Sequence, residues 1–250
     1  MKKVVVLRWT VIVLFVALLE VLCRTGLINR HTMIPPTEMA VALVQLVAAG
    51  AINADATVTL RNVAAAFVAS IVGGFVLGVV IHALPRLRRV LEPLFASYYA
   101  VPTFVFYPVL LAVFGMNDMP IIVIGTLFGI VAMIVATLNG LDRIPRALVK
   151  TARVLRMSRA ATALKVQLPA IAPHLFTGVK LAIAYAFIGV IAAEFILSDR
   201  GLGYAISYAY NNFENRKMYA LMLLIIVIVS VVNGIFRAWE QRLARRRGLA

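Results

Sequence analysis

The sequence has few of the residues from which enzyme and metal sites are usually built. Cys23 is its one cysteine, so an intramolecular disulfide is excluded. It has three histidines and ten acidic residues, with no cluster at metal-ligand spacing and no Gly-rich loop of the kind that binds phosphate. These absences predict that the chain is not an enzyme and that it binds no metal or nucleotide cofactor itself.

Apolar residues, in contrast, make up 63% of the 250 residues, and the mean hydropathy is +0.97. Soluble domains average closer to one half apolar, so we expect an all-α integral membrane protein with a single domain, 1–250. At ~20 residues per span the length suits about six transmembrane helices. We place them near residues 4–22, 62–84, 94–115, 119–138, 170–197 and 218–239. A signal peptide is the alternative for the first, but no small-residue cleavage site follows it.

The net charge of +15 raises the question of nucleic acid binding. Most basic residues, however, lie at the N-terminus, near Arg86, in the segment 143–169 and in the C-terminal tail, which are alternate loops of the predicted topology. Cytoplasmic loops of membrane proteins carry such an excess of Lys and Arg. The distribution therefore predicts that both termini are cytoplasmic, and it accounts for the charge without a nucleic acid partner.

The segment 143–169, RIPRALVKTARVLRMSRAATALKVQLP, is the most distinctive part of the chain. It carries seven basic residues and no acid. Pro145 suits the first turn of one short amphipathic helix, and Ser158 can cap a second, which we expect to end near Pro169. Such a segment could bind anionic lipid headgroups or could dock a soluble partner.

This segment resembles the EAA loop of membrane permeases of ATP-binding-cassette (ABC) importers. The family pattern is Glu-Ala-Ala, three residues, Gly, nine residues, Ile, one residue and Leu-Pro. The positions that fit or resemble the pattern are Ala152, Val166, Leu168 and Pro169, and the departures are Lys150 for Glu, Thr151 for the first Ala and Arg156 for Gly. Without the Gly, the turn must be made by a residue that does not readily accept positive φ.

The predicted third span contains Pro102 and Pro108, which remove backbone hydrogen bonds and should distort a membrane helix. Aromatic residues surround both prolines. We interpret the span as a possible lining of a pathway, with an interfacial aromatic belt as the alternative. The stretch also resembles the third span of the nitrate/sulfonate/taurine branch of these permeases, in which a Gly-x-Gly-Glu turn follows; here Asn117 and Asp118 replace the second Gly and the Glu.

The predicted fifth span holds two charged residues. We expect Lys180 to extend to the cytoplasmic headgroups, because an unpaired charge inside a bilayer costs about 3 kcal/mol. Glu194 lies near the other end and precedes Gly-Leu-Gly-Tyr at 201–204, an arrangement that resembles the same permease branch. We interpret Glu194 as a structural pin or as a gate residue.

Two shorter patterns complete the local predictions. In the predicted second span, Gly73, Gly74 and Gly78 should allow a neighbouring helix to approach closely. Thr37, after Pro35 and Pro36, should cap an amphipathic helix over residues 38–49.

The resemblance implies a type I importer permease with cytoplasmic coupling helices, in the bacterial inner membrane, for a small anionic solute. It implies four kinds of partner: a second permease copy, a cytoplasmic ABC ATPase dimer that binds ATP and Mg, a periplasmic or lipid-anchored solute-binding protein, and membrane lipid. The expected ATPase-coupling residues are Ala147, Leu148, Lys150, Thr151, Ala152, Arg153, Leu155, Arg156, Arg159 and Leu164. The expected pathway residues are Tyr98, Tyr99, Phe104, Tyr107 and Glu194.

Other functions fit parts of the sequence. A permease of the same family could carry an aromatic carboxylate or a vitamin precursor instead. An ion-coupled secondary transporter would need paired acids inside the membrane or inverted repeats, and the sequence offers one deep acid, Glu194, and no clear repeat. A scaffold that recruits a soluble protein through segment 143–169 would not need the bent aromatic span.

Overall fold

The computed structural model describes residues 2–30 and 32–246, and in these ranges it contains eleven α-helices and no β-strand. The all-α prediction is therefore confirmed. The helices are α1 (Lys2–Arg24), α2 (Pro36–Ala48), α3 (Asn53–Ala83), α4 (Pro85–Ser97), α5 (Tyr107–Phe114), α6 (Met119–Asp142), α7 (Arg146–Val154), α8 (Arg159–Thr162), α9 (Leu168–Leu197), α10 (Leu202–Asn211) and α11 (Asn215–Arg246).

Four helical segments of the described ranges are long and apolar enough to cross a membrane: Asn53–Ala83, Met119–Asp142, Arg159–Leu197 and Asn215–Glu240. The count of six spans stays a prediction. The stretch 94–115 is not one continuous helix, because α4 ends at Ser97 and two short 3₁₀ turns, Tyr98–Ala100 and Thr103–Phe106, separate it from α5. Pro102 and Pro108 lack the N–H groups that a continuous helix would need there.

The chain divides into two compact units, although the sequence was interpreted as one domain. The first comprises Met1–Val58 with Glu194–Ser230. Its core packs α10 against parts of α3 and α11, through buried side chains that include Ile52, Leu202, Ile206, Ala209 and Leu221. Burial of this apolar area stabilises the unit even though α10 is too short to cross a bilayer.

The predicted cap of α2 is wrong. The residue before the helix is Pro35, and Thr37 lies in its first turn. The Thr37 hydroxyl instead donates to Glu20 Oε1 at 2.6 Å, and its N–H donates to Glu20 Oε2 at 3.0 Å. Arg24 Nε also donates to Glu20, so these contacts attach α2 to the end of α1. The partner of Thr37 lies 17 residues away, which a local capping rule does not consider.

The second unit comprises Thr59–Ala193 with Val231–Ala250, and within it α3 packs closely against α6. A Cβ added at Gly74 would lie 2.6 Å from Met133 Cβ, and one added at Gly78 would lie 2.7 Å from Thr137 Cβ. The Ser70 hydroxyl adds a hydrogen bond across the contact, to the Thr126 carbonyl at 3.1 Å. The predicted close approach of a neighbouring helix is confirmed.

Lys180 forms an ion pair within the second unit. Its Nζ lies 2.7 Å from Glu240 Oε2, which connects α9 to the last part of α11. The structure therefore pairs Lys180, which the sequence analysis treated as unpaired, and a carboxylate within hydrogen-bonding distance lowers the cost of an ammonium group inside a span. Its extension to the headgroups stays a prediction. Glu240 is 60 residues away in sequence, so no spacing rule pairs the two.

Candidate functional sites

Segment 143–169 folds as α7, a turn, α8 and a π-helical stretch, Ala163–Gln167, that runs directly into α9. The predicted cap is confirmed: Ser158 Oγ accepts a hydrogen bond from the Ala161 N–H at 3.2 Å. The predicted end of the second helix near Pro169 is wrong. Pro169 lies in the first turn of α9, and the wider π turn before it accommodates a residue that cannot donate a helix hydrogen bond.

The turn after α7 is closed by a Schellman arrangement of hydrogen bonds. The Met157 N–H donates to the Ala152 carbonyl and the Arg156 N–H donates to the Arg153 carbonyl, both at 3.0 Å. This arrangement requires a left-handed residue after the helix, and Arg156 adopts φ +50°. The turn therefore does use positive φ, at the position where the family pattern has Gly.

Substitution Arg156→Gly should stabilise the chain. A side chain in the left-handed region costs roughly 1–2 kcal/mol, and Gly removes that cost but adds entropy to the unfolded state. We expect a net gain of about 0.5–1 kcal/mol in the free energy of unfolding, measured by denaturant titration in detergent. Gly at Arg143, outside the turn, is the control and should be neutral or destabilising. A loss of stability in Arg156→Gly would contradict the proposed strain.

The expected coupling residues divide into two groups. Ala152 is buried within the chain, with 2% of its surface exposed, so it is not available to a partner protein. Leu148 and Leu155 are 41% and 67% exposed. The other expected coupling residues are also exposed: Ala147, Lys150, Thr151, Arg153, Arg156, Arg159 and Leu164. The amphipathic pattern predicted one apolar face, whereas α7 uses Ala152 to pack inside the chain and leaves the two leucines at the surface.

The start of the segment is fixed by a charged contact. The Arg88 guanidinium donates to both carboxylate oxygens of Asp142 at 2.7 Å, which joins α4 to the end of α6. His82 Nε2 lies 3.4 Å from the same carboxylate. These hydrogen bonds from Arg88 to Asp142 raise the pKa of Arg88 above its ordinary value. Because Asp142 contacts both Arg88 and His82, its carboxylate fixes the end of α6 immediately before Arg143.

A cleft of about 430 Å³ in the second unit is the candidate pathway. Of the five expected pathway residues, it is lined by Tyr99 alone, whose ring stacks on Tyr185 with centroids 4.8 Å apart. Asn139 and Thr177 add polar groups to the lining, and Arg88 and Glu92 also contribute. The sequence analysis did not select Asn139, Thr177 or Tyr185, although a polar residue within an apolar span is itself a signal.

Three of the other expected pathway residues pack elsewhere in the second unit. The Tyr98 hydroxyl donates to the Leu127 carbonyl at 3.0 Å. The ring of Phe104 contacts Phe128 with centroids 5.4 Å apart, and Tyr107 is half-buried at the start of α5. In this structure Tyr98 and Phe104 attach the interrupted third segment to α6, which is a packing role.

Glu194 is fully buried in the first unit, at the N-terminal end of α10. Its Oε2 accepts a hydrogen bond from the Gly203 N–H at 3.2 Å, and a negative charge is favoured at this end of a helix. Gly201, with φ +97°, passes so close that an added Cβ would lie 2.6 Å from the carboxylate carbon. Asp55 accepts from the Gly201 N–H at 3.0 Å. This geometry favours the structural pin over the gate.

Comparison with known proteins gives a consistent result over most of the chain. A family model described as "binding-protein-dependent transport system inner membrane component" matches residues 70–248. The nitrate import permease protein NrtB of Leptolyngbya laminosa is 31% identical over 188 residues, which are 75% of this chain and 66% of that protein. The bicarbonate transport system permease protein CmpB of Synechococcus elongatus is 30% identical over 187 residues, 74% of this chain and 66% of that protein.

A more distant relative covers more of the chain. The putative aliphatic sulfonates transport permease protein SsuC of Bacillus subtilis is 23% identical over 232 residues, 93% of this chain and 84% of that protein. The match spans about two thirds of the length of NrtB and CmpB. Among solved structures, a chain of the MetNI methionine ABC transporter in inward-facing conformations has a TM-score of 0.57 at 18% identity, over 75% of this chain and 93% of that chain. That likeness concerns the fold.

Proposed function

The chain belongs to the family of inner membrane components of binding-protein-dependent transport systems, and from this premise we propose that it is the permease subunit of an ATP-driven importer. The observation that carries the proposal is the surface of segment 143–169. Leu148 and Leu155 are exposed there among basic residues, which is the composition of a helix that docks in a groove of another protein. A cytoplasmic ATPase dimer is the partner that such an importer needs.

The solute that fits best is a small anion such as nitrate, bicarbonate or a sulfonate. Three similar proteins are named for these solutes. The lining of the cleft supports the assignment, because Tyr185 and Asn139 can donate hydrogen bonds to an oxyanion without binding it as tightly as a free cation would. The hydroxyls of Tyr99 and Thr177 donate instead to the Phe128 and Pro173 carbonyls. A carrier must release its solute, so neutral donors suit transport better than an unpaired arginine.

The division of work follows from this assignment. ATP and Mg bind to the ATPase subunits, and this chain performs no hydrolysis. A second copy of the chain completes the pathway, and a periplasmic or lipid-anchored protein delivers the solute. Both termini lie in the cytoplasm, as the distribution of Lys and Arg favours, which places segment 143–169 on the ATPase side.

Reconstitution tests the proposal. The chain should co-purify in mild detergent with an ATPase subunit from the same source, and the complex in liposomes should hydrolyse ATP faster when a loaded binding protein is added. Nitrate, bicarbonate and ethanesulfonate are compared with benzoate as the solute. If benzoate alone stimulated ATP hydrolysis, the transported solute would be an aromatic carboxylate. Failure to associate with any ATPase, together with uptake that follows an ion gradient, would replace the importer by a secondary transporter.

A further inference from the structure

A second cleft, of about 460 Å³, lies where α3, α6 and α7 meet. It is separate from the candidate pathway, and the two linings share no residue. Its lining includes Arg146, Lys150 and Arg153, which recur every three or four residues and so lie on one side of α7. This side differs from the one that carries the exposed Leu148 and Leu155. The proposed docking with an ATPase therefore does not explain it.

The three cations of this cleft have no anionic partner of their own. Within residues 2–30 and 32–246, no carboxylate lies within ion-pair distance of Arg146, Lys150 or Arg153. Asp142, the nearest acid along the chain, is held by Arg88. Three like charges on one side of a helix repel one another, so an anion in the cleft would be favoured.

The opposite wall of the cleft is mainly apolar and belongs to membrane helices. His82, which also lines it, lies 3.4 Å from the Asp142 carboxylate. Val79 and Ala83 come from the end of α3, and Leu141 and Ile144 come from the end of α6 and the turn after it. Both helices are long and apolar enough to span a membrane, so their ends define its boundary. The cleft thus combines apolar groups beside the hydrocarbon with cations beside the water, which is the division of chemistry found in a phospholipid.

We propose that this cleft binds an anionic phospholipid, with its phosphate between Arg146, Lys150 and Arg153 and its acyl chains along α3 and α6. A free inorganic anion would satisfy the cations but would leave the apolar wall exposed to water. An acidic segment of a partner protein would satisfy the cations too, yet it would have to enter beside the hydrocarbon. The lipid alone matches both walls, and it would hold α7 against the ends of two spans.

The test measures lipid binding directly and needs no ATPase. The purified, delipidated chain is titrated with dioleoyl phosphatidylglycerol or dioleoyl phosphatidylcholine, which share acyl chains, and bound lipid is counted by native mass spectrometry. The cleft variant combines Arg146→Gln, Lys150→Gln and Arg153→Gln. The control combines Arg143→Gln, Arg159→Gln and Lys165→Gln, which remove the same charge from the same segment outside the cleft lining.

We expect the parent chain to prefer phosphatidylglycerol. The cleft variant should weaken its binding by about tenfold or more, because each cation near the membrane surface contributes several-fold. The control should weaken it by less than about twofold, since its charges lie outside the cleft.

Four results would overturn the proposal. These are equal losses in both variants, no preference of the parent chain for phosphatidylglycerol, displacement of the lipid by an equal concentration of inorganic phosphate, and unchanged lipid binding by the cleft variant. If the cleft variant bound lipid as the parent chain does but lost its association with the ATPase in lipid-free detergent, the cleft would be a binding site for the protein partner. If the cleft variant lost lipid binding and the parent chain associated with no ATPase, the lipid site would be supported. Only the proposed importer function would then be contradicted.

Discussion

The Leu155→Asp variant will associate with the partner ATPase at least about tenfold more weakly than the parent chain, while its thermal unfolding midpoint stays unchanged. Leu155 is 67% exposed, so a carboxylate there remains hydrated in the free chain. In an apolar groove the same carboxylate would be desolvated, at a cost of a few kcal/mol, which corresponds to tenfold or more in affinity. Co-purification at graded ATPase concentrations measures the loss.

Ala152→Asp gives the matched contrast on the same helix. Ala152 is buried inside the chain, so a carboxylate there should lower the free energy of unfolding by about 3 kcal/mol before any partner is involved. Leu27→Asp, at an exposed leucine outside the segment, should affect neither stability nor association. If Leu155→Asp associated with the ATPase as tightly as Leu27→Asp, the docking surface would have to be sought elsewhere on the chain.

Gly201→Ala will destabilise the first unit more than any other glycine-to-alanine change at a left-handed position. The new Cβ would stand 2.6 Å from the Glu194 carboxylate carbon, in a backbone at φ +97°. Glu194 is fully buried and cannot swing away into solvent. Strain and steric overlap together should cost about 3 kcal/mol or more in the free energy of unfolding. Unfolding in detergent, followed by circular dichroism, measures the change.

Gly26→Ala separates the two contributions. Gly26 also has positive φ, +79°, but an added Cβ would meet nothing within 4 Å. Only the backbone strain remains, and it should cost about 1–2 kcal/mol. Equal losses at the two positions would mean that the Glu194 contact adds nothing and that the buried carboxylate can adjust. A larger loss at Gly201 would establish Glu194 as the fixed support of the N-terminal end of α10.

Features that depend on single residues or on one helix face could be predicted from the sequence. The Ser158 cap and the close approach at Gly74 and Gly78 follow from properties of single residues or of one helix face. The all-α architecture follows from apolar runs of a length that only helices can use in a membrane. These features depend on neighbours in sequence or on the solvent, and both can be inferred from the sequence.

Other features depend on which distant residues meet. Lys180 finds Glu240 60 residues away, and Thr37 finds Glu20 on another helix. The apolar pattern of α7 could not indicate that Ala152 packs inward while Leu155 stays outside. The aromatic third segment suggested four pathway residues, but whether a ring lines a cleft or packs on α6 depends on the rotation of each turn. The rotation of each turn depends on the two prolines and on how the segment packs on α6. The sequence does not specify that packing.

The π-helical stretch Ala163–Gln167 has a mechanical consequence. Because it replaces a loop, the helical path is unbroken from Arg159 to Leu197, over 39 residues. Pro173 lies inside this path, and prolines and π turns are the places where helices bend. A push on the turn at Arg156 would therefore reach Thr177 and Tyr185, in the wall of the cleft, through two bends, and it would tilt one helical section against the next.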